Sequence, residues 1–211
     1  MSHVVLLGDS IFDNAAYVAG GPDVRAQLER SLPAGWRVTL LARDGAVTGG
    51  VAQQMLRLPR DATHLVVSAG GNDALGASGI LDQAARSVAE AVGQLAEIRA
   101  RFQQGYDAML GSVLEPGLPT AVCTIYDANY PDPLRQRLVT TGLALFNDVI
   151  TRAAFRRGLP LLDLRLICDS PRDYANPIEP SVEGGEKIAA AITGLVTAQD
   201  RGYPHSTVIA R

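Results

Sequence analysis

The sequence predicts a three-layer α/β domain with a five-stranded, doubly wound parallel sheet. Short, unbroken apolar runs end at turn residues, as expected for strands that are buried on both faces. These runs alternate with segments whose apolar residues recur at helical spacing. Strands alternating with helices favour a parallel sheet with right-handed crossovers. With 211 residues, of which 47% are hydrophobic, the chain can form one core on each side of such a sheet.

Five apolar segments are predicted as strands. The first is Val4–Leu7, which ends at Gly8 and is followed by an acid and a serine. The other four are, in chain order, Trp36–Ala42, His64–Ala69, Thr120–Tyr126 and Leu161–Leu164.

The segments between the strands are predicted as helices. They are residues 13–30 with an interruption at Gly20-Gly21-Pro22, Val47–Leu58, Ile80–Gln104 continuing as Tyr106–Leu114, Leu134–Arg157, and Val182–Thr197. Irregular loops are expected at Asp127–Pro133 and Ile167–Pro180, and the polar stretch Ala74–Gly79 is a further candidate for lining a pocket. We expect a single domain over residues 1–198, followed by a tail, 199–211, to which no element is assigned.

Composition argues against several classes of function. The net charge of −3 and the absence of a basic block disfavour nucleic acid as a partner. No apolar run approaches the ~20 residues that span a bilayer. The first strand begins directly after Met1-Ser2-His3, which leaves no room for a signal peptide and predicts a cytoplasmic protein. Cys123 and Cys168 lack metal-site spacing, so no metal and no cofactor are expected. The sequence does not indicate an oligomeric state.

Three strand ends bring unusual residues to one edge of the predicted sheet. They are Gly8-Asp9-Ser10, Gly45 and Gly70-Gly71-Asn72-Asp73. Ligands bind at the carboxyl edge of such sheets. A serine there can attack a carbonyl, while backbone N–H groups and an uncharged Asn amide can bind the resulting oxyanion. Each residue also has a structural interpretation: Ser10 as a helix cap, Gly45 as a turn glycine, and the third block as a loop.

In this order, the three blocks resemble those of the SGNH (GDSL-type) hydrolases. The resemblance covers nearly the whole chain and implies a flavodoxin-like fold and hydrolysis of a small-molecule acyl ester. It also implies that Ser10 is the nucleophile. The oxyanion hole would then consist of the Ser10 N–H, the Gly45 N–H and the Asn72 side chain.

The last block departs from the family pattern Asp-x-x-His-Pro. Here the matching residues are Asn176-Pro177-Ile178-Glu179-Pro180, so Glu179 takes the place of the histidine and Asn176 that of the aspartate. We therefore expect Glu179 to be a noncanonical base and Asn176 to donate a hydrogen bond to its carboxylate. A carboxylate is a weaker base than imidazole, with a pKa of ~4.3 against ~6.5, unless partial burial raises that pKa.

No histidine is expected to replace the missing one. His3 and His64 begin their strands, at the opposite edge of the sheet, and His205 follows a last helix that runs back towards that edge. Asp173 is a further candidate neighbour of Glu179, with a solvated loop acid as its simpler interpretation.

Two alternatives remain open. Glu179 could be a structural acid that leads into the last helix, where a negative charge is favourable and where Ser181 would be the cap. The whole protein could also be a catalytically impaired relative that binds an acyl or carboxylate ligand without turning it over.

Overall fold

The computed structural model describes residues 2–198 and has the predicted fold class. Five parallel strands form one sheet in the order β2-β1-β3-β4-β5. The strands are β1 His3–Gly8, β2 Arg37–Leu40, β3 His64–Ser68, β4 Thr120–Cys123 and β5 Leu161–Leu162. The predicted tail and His205 lie outside the described residues.

Helices cover both faces of this sheet. They are α1 Val24–Ser31, α2 Val51–Met55, α3 Gly71–Ala77, α4 Val88–Leu114, α5 Pro133–Arg156, α6 Leu164–Ile167 and α7 Val182–Thr197. Short 3-10 helices lie at Ala15–Tyr17, Thr48–Gly50, Ser78–Asp82 and Pro171–Asp173. A small antiparallel hairpin, β6 Tyr174–Asn176 and β7 Glu179–Pro180, precedes α7. Among residues 2–198, no helix is long and apolar enough to cross a membrane.

Strand β1 shows why the apolar runs predicted buried strands. Successive side chains of a strand point to opposite faces of the sheet. Val5 and Leu7 belong to the core on one side, with α4 and α5 residues such as Tyr106 and Ile150, whereas Val4 and Leu6 belong to the other core. All four side chains are fully buried. Both faces must therefore be apolar, which excludes the alternating pattern of a half-exposed strand.

Several predicted segments differ from the structure. The third block and the start of the polar stretch Ala74–Gly79 form helix α3, where no helix was predicted, and the predicted helix over residues 13–30 is reduced to the 3-10 helix Ala15–Tyr17 and α1. Helix α4 begins at Val88, where the Ser87 hydroxyl accepts a hydrogen bond from the Glu90 N–H, instead of at Ile80. It then continues to Leu114 through Gly105, because packing against the sheet stabilises the helix across that residue. The predicted irregular loop, Ile167–Pro180, contains the β6–β7 hairpin, which presents Glu179 to the sheet edge.

Candidate active site

Ser10 lies just beyond the carboxyl end of β1. At this end Gly8 has φ of 119°, and a Cβ there would lie 1.6 Å from the Ser68 carbonyl oxygen, so only glycine fits. The chain then turns, with the Phe12 and Asp13 N–H groups donating to the Asp9 carbonyl. Ser10 is buried, and its hydroxyl donates to Glu179 Oε1 at 3.1 Å. Its hydroxyl is therefore engaged with a carboxylate instead of capping a helix.

A glutamine side chain that sequence reasoning missed holds this strand end. Gln54 of α2 accepts a hydrogen bond from the Gly8 N–H and donates one to the Gly8 carbonyl, both at 2.8 Å. It is buried, so both bonds are shielded from water. The backbone that leads to Ser10 is thereby fixed from one side. The only signal in the sequence was a polar residue at an apolar position, three residues after Val51, in a short predicted helix.

Glu179 reaches Ser10 from β7, 169 positions further along the chain. The hairpin is held by the Asn14 amide, which donates to the Pro180 carbonyl at 3.2 Å, and by the Tyr126 hydroxyl, which donates to the Ile178 carbonyl. Only 6% of Glu179 is exposed, and its Oε2 has no hydrogen-bond partner among the described residues. Burial raises the pKa of Glu179 to about 7, with a smaller contribution from the charge of Asp44.

Asp9 is a second buried carboxyl group beside Ser10. Burial raises its pKa to about 7, and the negative charges of Glu179 and Asp73 act in the same direction. The hydrogen bond from the Ile11 N–H to Asp9 Oδ1, at 3.2 Å, opposes this shift. The sequence showed only an acid after a buried strand; the structure makes it a carboxyl group that titrates in the same range as Glu179.

Asn72 links the third block to the second. Its Nδ2 donates to the Ala46 carbonyl at 2.9 Å, which leaves the second amide hydrogen available. The neighbouring Asp73 accepts hydrogen bonds from both the N–H and the hydroxyl of Thr48. Gly45 adopts φ of 75° in the turn before Ala46, a conformation that favours glycine. Within residues 2–198, neither the Gly45 N–H nor the Ser10 N–H donates to a protein acceptor.

The structure does not bring Asn176 to the carboxylate of Glu179. Asn176 is exposed, and its Oδ1 accepts a hydrogen bond from the Ile178 N–H at 2.9 Å, inside the hairpin turn. The hydrogen bond to Glu179 expected from the sequence is therefore absent, because the tight turn uses the side chain locally. Asn176 stabilises the turn that carries Glu179.

Asp173 is not the solvated acid that its loop position suggests. It is buried, accepts from the Ser170 N–H at 2.8 Å and pairs with Lys187 Nζ at 2.8 Å. Ser170 and Asp173 form a capping box at the start of a 3-10 helix. Its role is structural, as is that of Ser181, which caps α7 as expected.

Two histidines lie in the described residues, and both begin strands at the edge opposite Ser10. His3 bonds to Asp61 and Thr39, and His64 contacts Thr63 and the Trp36 ring. Neither can serve Ser10, as the sequence led us to expect. Residues 2–198 also contain no group of three or more His, Cys, Asp or Glu side chains that could hold a metal ion.

Ser10, Asn72 and Glu179 line one cavity, together with Asp9. Its empty volume is about 1050 Å³, including space at the open mouth. Gly45 and Asn176 are not among the lining residues. Beyond these polar groups the walls are mainly apolar and come from α3, α4 and α5. The arrangement places a serine hydroxyl, a buried carboxylate and an amide donor against a space that can hold an organic molecule.

Comparisons with known proteins agree with this fold. The model of the GDSL-like lipase/acylhydrolase family matches residues 6–186. The lipase Lip_vut3 from a goat rumen metagenome is similar in structure, with a TM-score of 0.70, 18% identity, and coverage of 91% of this chain and 96% of that chain. An extracellular lipase from Streptomyces rimosus has a TM-score of 0.66 at 19% identity, covering 92% and 100% of the two chains.

A third similar structure is Est24, a carbohydrate acetylesterase from Sinorhizobium meliloti. Its TM-score is 0.65 at 14% identity, over 94% of this chain and 99% of that chain. At these identities the likeness concerns the fold. No curated protein matches the sequence.

Proposed function

Because the chain belongs to the GDSL-like lipase/acylhydrolase family, we propose that it hydrolyses small-molecule carboxylic esters with Ser10 as nucleophile and Glu179 as base. The hydrogen bond from the Ser10 hydroxyl to Glu179 Oε1, at 3.1 Å, is the observation that carries this proposal. A candidate base must lie within hydrogen-bond reach of the proton that it removes. A buried carboxyl group with a pKa of about 7 is also far better suited to this task near neutral pH than an exposed glutamate.

The proposed reaction has two halves. In the first, the Ser10 oxygen bonds to the ester carbonyl carbon as its proton passes to Glu179. The C–O bond to the alcohol then breaks, and the alcohol leaves with that proton. In the second half Glu179 takes a proton from water, whose oxygen attacks the acyl-serine carbon. The proton returns to the Ser10 oxygen as the acid is released, which restores the free enzyme.

The proposed oxyanion hole combines three donors. They are the N–H group of Ser10 and the second amide hydrogen of Asn72, both from residues that line the cavity, and the N–H group of Gly45, from the neighbouring turn. Neither N–H group has an acceptor among residues 2–198. The bond from Asn72 to the Ala46 carbonyl supports this assignment, since it ties the turn that carries Gly45 to the start of α3. Donors that are fixed before the reaction stabilise the developing charge without reorganising.

Turnover of p-nitrophenyl acetate tests the proposal. We expect Ser10→Ala to lose activity by at least ~1000-fold, as nucleophile variants of serine hydrolases do. Glu179→Gln should lose kcat with little change in KM, because it keeps the shape and removes the base. Equal rates for the wild type and Ser10→Ala would reject the ester-hydrolase function. Normal turnover by Glu179→Gln would reject Glu179 as the base.

A binding protein is the second candidate function. No histidine among residues 2–198 lies beside Ser10, and Asn176 does not orient Glu179. If the protein only binds, the same cavity would hold an acyl or carboxylate ligand without turnover. Ligand affinity that persists in Ser10→Ala, together with esterase rates equal to the uncatalysed rate in the wild type, would favour it.

The cytoplasmic location stays a prediction. Cell fractionation tests it, and recovery of the protein from the culture medium would contradict it.

A further inference from the structure

Most of the walls of the cavity at Ser10 are apolar; the apolar part between α3, α4 and α5 is called the channel below, and the cavity as a whole has few charged groups. Among the residues that line it, the only charged side chains are Asp9, Glu179 and Arg135. The first two flank Ser10, and the Arg135 guanidinium lies over the Tyr130 ring at 5.7 Å. Further along, the walls are aliphatic or aromatic, and include Ile80, Leu81, Leu95, Ile98, Leu143 and Phe146. Away from Ser10, the polar side chains in the lining are Ser78, Tyr130 and Arg135, so the walls offer few partners for the hydroxyl groups of a sugar or for a charged acyl group.

The length of helix α4 explains where this channel lies. Helix α4 has 27 residues and is ~40 Å long, whereas the five residues of β3 span only ~17 Å. The buried residues of α4 begin at Phe102 and continue to Val113, where the helix packs on the sheet. Its first half therefore extends beyond the carboxyl edge of the sheet. The N-terminal part of α5 and helix α3 face the same space and complete the walls.

Small residues keep the channel open. Gly142 lies inside α5, where a glycine destabilises the helix relative to alanine. It lines the channel, and a Cβ at this position would have no atom within 4 Å. Ala74 and Ala77 of α3 line the channel as well. The helix therefore carries a residue that leaves space where most other side chains would project into the channel.

We propose that the channel binds an unbranched aliphatic acyl chain, so that the substrates are esters of medium-chain to long-chain fatty acids. This inference rests on the proposed esterase function and names the acyl group. The exposed apolar residues Leu75 and Leu138, 44% and 41% exposed, line the same channel and present an apolar surface to an entering chain. The carbonyl carbon is held at Ser10, and the chain extends between α3, α4 and α5.

The channel wall sets the length of chain that fits. Along α5 the lining residues run from Arg135 to Phe146, a rise of ~16 Å at ~1.5 Å per residue. An extended polypeptide covers ~3.5 Å with three backbone bonds, or ~1.2 Å per bond, and we take the same advance for an extended acyl chain. The wall therefore accommodates roughly a dozen carbons. Dodecanoate is therefore a suitable probe and acetate a suitable short reference.

The test compares a chain-length series in two matched variants. We measure kcat/KM for p-nitrophenyl acetate, octanoate and dodecanoate in the wild type, Gly142→Phe and Gly111→Phe. Gly111 also lies inside a long helix, α4, and has open space at its Cβ, but it is exposed and outside the channel. The two variants therefore make the same change in two helices, one inside the channel and one on the surface.

The channel predicts different outcomes for the two variants. The wild type should prefer dodecanoate to acetate by at least ~10-fold, since each buried methylene contributes to specificity. Gly142→Phe should lower the dodecanoate-to-acetate ratio by at least ~10-fold, and Gly111→Phe should leave that ratio unchanged. Equal ratios in all three proteins, or equal losses in both variants, would overturn the proposal.

Binding of dodecanoate to Ser10→Ala, measured by calorimetry, separates this inference from the catalytic one. If Ser10→Ala binds dodecanoate and the double variant with Gly142→Phe does not, the channel is supported. This holds even if the wild type hydrolyses no ester, because the absence of hydrolysis would reject only the catalytic function. Hydrolysis of acetate without any binding of dodecanoate would overturn the channel and leave the esterase standing.

Discussion

At the scale of single residues, the site depends on what burial does to a carboxyl group. An exposed glutamate is almost fully ionised at neutral pH and accepts a proton poorly. Burial at the sheet edge raises the pKa of Glu179 to about 7. This is close to the ordinary pKa of a histidine, ~6.5. Its Oε2 has no hydrogen-bond partner within residues 2–198. A buried carboxyl oxygen without a partner does not favour stability, and a role in proton transfer explains why it is there.

The pH dependence of the rate follows from this shift. Only the ionised form of Glu179 can accept the Ser10 proton, so kcat/KM should rise with pH through about 7 and level off above that. Initial rates on p-nitrophenyl acetate between pH 5 and 9, corrected for the uncatalysed reaction, measure the midpoint. A profile that is flat from pH 5 upward would mean that no group of this pKa acts as the base.

Asp44 offers a way to shift that midpoint. It is exposed, and its negative charge raises the pKa of Glu179. Asp44→Asn should therefore move the midpoint to lower pH, and added salt should reduce the difference, since it screens exposed charges. Glu115→Gln, which removes an exposed acid just after the end of α4, is the control and should leave the midpoint in place. The same shift in both variants would point to net charge and not to Asp44.

At the scale of the elements, buried amide side chains hold the strand ends. Gln54 bonds to both backbone groups of Gly8 at the end of β1. Asn147 of α5 does the same for Ile125 just after β4, accepting from its N–H and donating to its carbonyl at 2.8 Å. In both places an amide supplies one donor and one acceptor where the strand ladder ends. These bonds help to satisfy the backbone groups at the strand ends, where the Gly8 carbonyl also accepts from the Arg43 N–H.

Removing one of these amides should destabilise the protein. Gln54→Leu leaves the Gly8 N–H without its Gln54 acceptor and removes one of two donors to the Gly8 carbonyl, which keeps the Arg43 N–H. We expect the free energy of unfolding to fall by about 1–3 kcal/mol. Gln53→Leu is the matched control, because Gln53 is the exposed neighbour in the same helix. Urea unfolding measures both variants. A loss of less than ~0.5 kcal/mol for Gln54→Leu, or the same loss for both, would contradict this role.

Prediction of the elements was best where local signals agree with packing. Helix α7 has the predicted bounds, because Ser181 caps it and its apolar residues face one core. The start of α4 was wrong because Ile80 and Leu81 continue the apolar pattern but belong to a separate 3-10 helix, Ser78–Asp82. Those side chains line the channel instead of continuing the helix face. Periodicity alone cannot distinguish these two uses of an apolar residue.

At the scale of the whole molecule, the buried carboxyl groups make stability depend on pH. Asp9 and Glu179 have ordinary pKa values of 3.8 and 4.5, and both are raised to about 7 in the folded protein. Between those values the folded state binds more protons than the unfolded state. The contribution of these two groups to stability therefore falls as pH rises from about 4 to about 7.

A double variant isolates this contribution. Asp9→Asn with Glu179→Gln removes both titrations, so its free energy of unfolding should increase relative to the wild type as pH rises from about 4 to about 7. Taking the difference between the two proteins cancels the other titrating groups. Urea unfolding at several pH values measures it. A difference that stays constant across this range would show that neither carboxyl group is shifted upward.

The sequence by itself determined the five strands of the main sheet, the longer helices between them and the three blocks that follow strand ends. These features depend on local patterns: apolar runs, glycines at turns and capping residues. Only the tertiary structure decided that Glu179 meets Ser10, that Asn176 turns away, that Asp9 is buried and that the channel is open. The physical reason is that burial, pKa and contact depend on segments as far apart as 169 positions, whose packing no local pattern records.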